Sequence, residues 1–145
     1  MQKIIPPILV AICILMMVAL HIIFPITSIV DQPLLAGAVG LTGLFFILSS
    51  ARLFSKIDTE IHTFQKPRKL VTSGLFRFSR NPIYLGFFLL LLGVAIGLGS
   101  LAPFLMVTLF FVAANFWYIP FEEKNMEETF GSDYLEYKKR TRRWI

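Results

Sequence analysis

The stretch IYLGFFLLLLGVAIGLGSLAPFLMVTLFFVAANFWYI, residues 83–119, decides the fold of this chain, and it contains no charged residue. As a single helix rising about 1.5 Å per residue, it would be nearly twice as long as a hydrocarbon core of about 30 Å is thick. The run must therefore fold back. Gly97-Leu98-Gly99-Ser100 followed by Pro103 is the place for the reversal, because glycine permits the turn and proline suits a helix's first turn. The reading is a tight hairpin of two helices, Ile83–Leu98 and Leu101–Ile119.

Two further apolar stretches precede it, Ile4–Phe24 and Leu34–Ser50. A membrane span takes about 20 mostly apolar residues. The whole chain has 145 residues, 56% of them hydrophobic, and a mean hydropathy of +0.71. A soluble domain of this size would leave much of that apolar surface facing water, whereas lipid covers it. The expected fold class is all-α, an integral membrane protein of four transmembrane helices. The single domain divides into two amino-terminal spans (1–54), a cytoplasmic loop (55–82), the transmembrane hairpin (83–119) and a cytoplasmic tail (120–145).

Charge sets the orientation. The fourteen Lys and Arg fall at Lys3, in Arg52–Arg80 and in Lys124–Arg143. The loop between the first two spans carries only Asp31, and the hairpin turn carries no charge. Basic residues accumulate on the cytoplasmic side of short loops. Both termini and the central loop are therefore expected in the cytoplasm, and a prokaryotic inner membrane suits a chain this short. The net charge of +5 reads as a topology and lipid-surface signal, with no nucleic acid partner needed. The first span is expected to be an uncleaved anchor, since bulky residues (His21 to Pro25) follow where a signal peptide would have small ones. Cys13, being alone, supports neither a disulfide framework nor a cysteine metal site. His21 and His62 stand apart without metal-ligand spacing, so no metal is expected.

Two polar segments flank the hairpin. In the first, Asn81-Pro82 is a good helix start, with Asn able to cap free backbone donors, and Tyr84 lies on the first turn beyond it. In the second, Pro120-Phe121-Glu122-Glu123 leaves the fourth span, and an acidic pair beside a membrane requires cationic partners. The hairpin returns that pair to the end of the helix pair that carries Arg77, Arg80, Asn81 and Tyr84. Downstream, Met126, Phe130, Tyr134 and Tyr137 recur at helical spacing. Gly131 breaks the pattern, and Ser132 or Asp133 can cap a second helix. With Lys138–Arg143 and Trp144, this segment reads as an interfacial amphipathic tail. A plainer reading stands beside the functional one: such Arg and Glu residues also serve as interfacial anchors, and such aromatics as belt residues. Asn115, within the fourth span, fits an interhelical hydrogen bond, and Gly93-x-x-x-Gly97 and Ala36-x-x-x-Gly40 allow close helix approach.

Three motifs in order add to this: Leu70-Val71-Thr72-Ser73-Gly74-x-Phe76-x-x-x-Arg80-Asn81-Pro82-x-Tyr84-x-Gly86, then Glu122-Glu123, then Phe130-Gly131-x-x-Tyr134-x-x-Tyr137. Together they resemble the isoprenylcysteine carboxyl methyltransferase family, and the phospholipid N-methyltransferases share a looser version. The resemblance covers about Leu70 to Ile145. It implies an S-adenosyl-L-methionine site at the cytoplasmic face and a lipophilic or lipid substrate arriving from the bilayer. By position it makes Leu70, Val71, Phe76, Asn81, Pro82, Tyr84 and Glu122 cofactor-binding residues. Glu123 is the weaker choice of the acidic pair, and Arg80 and Glu123 are candidates for a catalytic role. Asn81 stands where family members commonly have His, Arg68 where eukaryotic enzymes have His, and Phe76 where they have Tyr. Tyr118 and Ile119 stand near where those enzymes carry an arginine for the substrate carboxylate. The acceptor is thus open among carboxylate, amine and thiol. Two alternatives remain: an NADPH-dependent reductase of the sterol type, with Lys66, Arg68 and Lys69 holding a phosphate, and a non-catalytic membrane scaffold.

Overall fold

The structure is a computed structural model that describes residues 5–24, 32–57 and 68–145. Lys3, Asp31, His62 and Lys66, which the sequence reading used, lie outside the described residues. The described residues are helical and form no named strand, and Ser79 and Arg142 make an isolated parallel bridge. The helices are α1 (Pro6–Ile23), α2 (Pro33–Ile57), α3 (Pro82–Leu98), α4 (Phe104–Ala113), α5 (Ile119–Phe130) and α6 (Ser132–Arg140). A short 3₁₀ turn, Gly74–Arg77, precedes α3, and a π-helical segment, Ala114–Tyr118, joins α4 to α5. Pro6–Ile23, Pro33–Lys56 and Phe104–Phe130 are long and apolar enough to cross a membrane, while Pro82–Leu98 is apolar but shorter.

The chain reverses between α3 and α4. Gly99 closes α3 in the left-handed conformation (φ 65°), and Pro103 stands at the start of α4. The left-handed backbone costs glycine little, so the stop is written into the residue type. Ser100 in this turn is fully buried, and its hydroxyl lies 2.9 Å from Nδ1 of His21 at the end of α1. His21 therefore clamps the first helix to the hairpin turn.

Helix α3 is the centre of the bundle and has two working faces. On one, Tyr84, Phe87, Leu91 and Ala95 recur at three- and four-residue steps and pack with Val10, Cys13 and Met17 of α1 and Val107 and Phe110 of α4. On the other, Gly86 and Gly93 meet α2 backbone to backbone. A Cβ at Gly93 would lie 2.7 Å from the Gly40 nitrogen, and one at Gly86 would lie 2.8 Å from the Gly43 carbonyl. The small-residue stripes of α2 and α3 thus face each other. Without a hydrophobic drive in lipid, such contact is what brings helices together. The outward faces are apolar: Leu15 is 71% exposed, Leu34 89% and Trp117 74%. Surfaces this apolar and continuous belong against lipid rather than water.

The fourth helical stretch does not end at Ile119 as the sequence pattern suggested. It continues through Pro120 to Phe130. A proline inside a helix lacks the N–H for the carbonyl four residues back and crowds it. The wider π turn, Ala114–Tyr118, falls directly before Pro120, where the α-helical pattern would otherwise meet that conflict.

Candidate functional site

The polar residues gather at the end of the bundle opposite the hairpin turn. α5 carries Glu122 and Glu123 in succession, so the helix turns them about 100° apart and sends them to different partners. Glu122, half-buried, accepts a 2.7 Å hydrogen bond from the Tyr84 hydroxyl on α3. Glu123 is buried, at 6% exposure, between two guanidinium groups. Arg80 Nη2 lies 2.7 Å from Glu123 Oε1, and Arg143 Nη2 lies 2.7 Å from Glu123 Oε2. A buried carboxylate is costly alone, and two charge-assisted contacts offset that cost.

Both arginines also hold backbone. Arg80 Nη1 donates to the carbonyls of Lys138 and Thr141 at the end of α6. Arg143 Nη1 reaches the Asn115 carbonyl and side-chain oxygen, each at 3.4 Å. The same Asn115 oxygen accepts from the Trp144 indole N–H at 3.1 Å, and the Trp144 ring stacks on Phe111 with centroids 5.1 Å apart. Asn115 is therefore a polar anchor within the apolar helix, and its partner is the chain's own last turn. The loop before α3 joins in. Arg80 N–H donates to the Arg142 carbonyl at 2.9 Å, and Asn81 Nδ2 to the Arg143 carbonyl at 3.1 Å.

Several sequence expectations are corrected here. Asn81 stands at the start of α3, but its side chain makes no cap hydrogen bond and reaches the tail instead. Neither does a side chain cap α6, which starts from Gly131 at φ 52°. Arg77 does not join the acidic pair. It is exposed and lines a groove against the end of α2. The aromatic stripe of α6 is covered by the chain itself: Tyr134 and Tyr137 are each 3% exposed, and the Tyr137 hydroxyl donates to the Phe76 carbonyl at 2.6 Å. Burial pushes the Tyr134 phenol up to about 12, with the Glu123 charge adding to it. Burial, then Tyr134, raises Tyr137 as well.

Of the residues assigned by resemblance, Asn81, Pro82, Tyr84 and Glu122 stand together at the base of α3 and α5. Phe76 and Val71 are buried in the preceding loop and Leu70 is half-buried there. Phe76 packs edge-on against Phe54 of α2, centroids 5.3 Å apart. Arg80 and Glu123 are engaged with each other and with the tail. Sequence reasoning missed Arg143, which looked like one more member of a basic surface run. The available signal was arithmetic: one buried acid beside Arg80 leaves a second carboxylate oxygen in want of a partner.

A family model described as phospholipid methyltransferase matches residues 31–133. The chain belongs to that family. The match runs from the approach to α2 into the first residues of α6, so it contains Arg80, Tyr84 and the acidic pair, and leaves out Arg143 and Trp144. Three relatives are similar. An uncharacterized protein of Haemophilus influenzae is 36% identical over 63 residues, 43% of this chain and 100% of that protein. Protein-S-isoprenylcysteine O-methyltransferase of Saccharomyces cerevisiae is 41% identical over 71 residues, 48% of this chain and 29% of the yeast protein. Protein-S-isoprenylcysteine O-methyltransferase B of Arabidopsis thaliana is 34% identical over 100 residues, 65% of this chain and 47% of the plant protein. The chain thus spans less than half the length of the two named enzymes. No solved structure matches. The family match and the two enzymes support a membrane methyltransferase of the isoprenylcysteine methyltransferase type, and give the reductase alternative no support.

Proposed function

We propose that this chain is an S-adenosyl-L-methionine-dependent methyltransferase of a prokaryotic inner membrane, acting on a lipophilic acceptor drawn from the bilayer. In this reading α1, α2, α3 and the α4 stretch are four spans, with both termini, the loop 55–82 and the tail 120–145 on the cytoplasmic side. The excess of Lys and Arg in those segments supports the orientation.

The observation that carries the reading is the Tyr84–Glu122 hydrogen bond across the two arms of the hairpin. It sets a half-buried carboxylate against Tyr84, whose ring lies in turn 6.3 Å from that of Tyr118 and 6.4 Å from that of Phe87. A carboxylate and aromatic faces are the donor set that suits a cationic ligand, and the cofactor carries a sulfonium and an ammonium. When bound, it supplies an electrophilic methyl group. Glu122 would hold its cationic end, with Tyr84 fixing the carboxylate's direction. Asn81, Pro82, Phe76, Val71 and Leu70 would form the rest of its wall. The apolar surroundings exclude water and strengthen each charge interaction. Arg80 and Glu123 are positioning residues in this scheme, since their polar atoms are directed at each other and at the tail.

Titration calorimetry of S-adenosylmethionine, and separately of NADPH, into the full chain in nanodiscs tests the proposal. We expect the methionine cofactor to bind and Glu122→Gln to weaken it about 10- to 100-fold, the loss of one charge-assisted contact. Binding of NADPH alone would favour a reductase, and binding of neither would favour a scaffold.

A further inference from the structure

The turn Gly74–Arg77 has a second side, away from the tail. Between it and the end of α2 lies a groove of about 440 Å³, lined by Ser50, Leu53, Gly74, Leu75, Arg77 and Phe78 among others. Three observations there require an explanation. Ser50 is 1% exposed, and its hydroxyl is the one buried side-chain group among the described residues that lacks a hydrogen-bond partner. Arg77 is exposed and makes no ion pair or hydrogen bond with a described residue, whereas Arg80, three positions on, is fully engaged. Phe78 beside it is 74% exposed.

The groove is shaped by the absence of a side chain. Gly74 has φ +60°, and a Cβ there would come within 3.3 Å of Leu53. Its depth along the chain is also informative. Ser50 closes the apolar run of α2, and Arg52 begins the basic segment, so the groove sits where hydrocarbon gives way to headgroups. Below it, Leu41, Leu44, Phe45 and Leu48 of α2 are exposed. An unengaged guanidinium recognises a carboxylate or phosphate through paired hydrogen bonds. A buried hydroxyl without a partner is destabilising until an acceptor reaches it. Leucine and phenylalanine walls running onto a lipid-facing helix suit an alkyl chain.

We propose that this groove binds a membrane amphiphile with an acidic headgroup, its phosphate or carboxylate oxygens meeting Arg77 and the Ser50 hydroxyl and its chain lying along α2. The site stands apart from the methyl-transfer reading, and binding there is measured without any methyl donor.

The test is native mass spectrometry of the full chain released from phosphatidylcholine vesicles doped with phosphatidic acid. The wild-type chain should retain the acidic lipid. Arg77→Gln and Ser50→Ala should each cut retention several-fold, and Ser49→Trp, which fills the groove from α2, should abolish it. Arg52→Gln, an exposed charge outside the lining, should change nothing. Equal loss with Arg52→Gln would mean diffuse surface attraction and overturn the proposal, as would undiminished retention in both Ser50→Ala and Ser49→Trp. Displacement of the lipid by inorganic phosphate alone would assign the site to a soluble anion and overturn its membrane-borne occupant.

Discussion

Arg80 and Glu123, 43 positions apart and on opposite sides of the hairpin, form a 2.7 Å ion pair at the base of the helix bundle. Arg143 closes the arrangement from the tail, also at 2.7 Å. One carboxylate thus ties the loop before α3, the helix after the π turn and the carboxy-terminal residues into one unit. The consequence is that the site's geometry depends on the tail's docking.

Removing the shared acid should therefore be the most damaging single change in this cluster. Glu123→Ala leaves two guanidiniums facing each other, and loss of one member of a buried pair costs about 3–5 kcal/mol. Arg143→Ala should cost less, because 34% of that side chain already meets solvent. Arg80→Met combined with Glu123→Leu should be less destabilising than Glu123→Leu alone, since the double change removes the more deeply buried guanidinium and leaves only the part-exposed Arg143 without its carboxylate. Thermal unfolding in one detergent ranks the variants; equal melting of Glu123→Ala and wild type would contradict the assignment.

A second prediction concerns α2 and α3. Gly93→Val forces a side chain against the Gly40 backbone, which can move only if the whole helix moves. Overpacking of this kind costs about 1–3 kcal/mol or more. Gly37→Ala is the control: a Cβ there meets nothing within 4 Å, so it should be neutral or mildly stabilising. The same melting assay separates the two, and a tolerated Gly93→Val would mean that the helices are not in close contact.

At the opposite end, His21→Ala should strand the Ser100 hydroxyl, which is fully buried. An unpartnered buried hydroxyl costs about 1–3 kcal/mol. Ser100→Ala, by contrast, removes the hydroxyl itself and should be milder. If the order of the two variants in a denaturation series is reversed, the clamp is not what holds α1.

How far the chain could be read in advance follows from the physics of each part. The hairpin and its turn were legible because Gly99 and Pro103 interrupt a run too long for one span. The Glu122–Tyr84 and Glu123–Arg80 pairings were legible in outline, because a folded-back hairpin must bring its ends together. Which acid meets which partner was not, since that depends on the register the π turn sets before Pro120. The role of Arg143 was hidden for a different reason. In sequence it is one of several basic residues beside a membrane, and only the approach of α6 to Asn115 and Glu123 singles it out. Asn81 misled for a related reason: its local geometry suits a cap, but the tail offers its amide a partner.

Alkaline pH should release the tail over a defined window. Tyr134 ionises near its ordinary value of about 10 when unfolded and at about 12 when folded. Below pH 10 neither state loses the proton, and docking is independent of pH. Between about 10 and 12 the undocked tail ionises first, so stability falls as pH rises, and Tyr137, also raised, adds to the slope. Emission from Trp144, followed in a Trp117→Phe background, reports the loss of its stacking on Phe111. Release well below pH 10 would point to a different titrating group.

The last prediction separates orientation from binding at the proposed cofactor site. Tyr84→Phe keeps the ring and its packing with Phe87 and Tyr118 but deletes the hydroxyl that holds Glu122. Glu122→Gln keeps the shape and deletes the charge. If the carboxylate binds the cationic cofactor and Tyr84 only aims it, Glu122→Gln should lose the larger share of affinity for S-adenosylmethionine. Tyr84→Phe should lose about tenfold or less, because it removes only a bond that aims the carboxylate and leaves the charge itself in place. The double variant should then be no worse than Glu122→Gln alone, because the hydroxyl has no carboxylate left to orient. Additive losses in calorimetry would mean that Tyr84 touches the ligand independently, and would move it from a positioning residue to a direct contact.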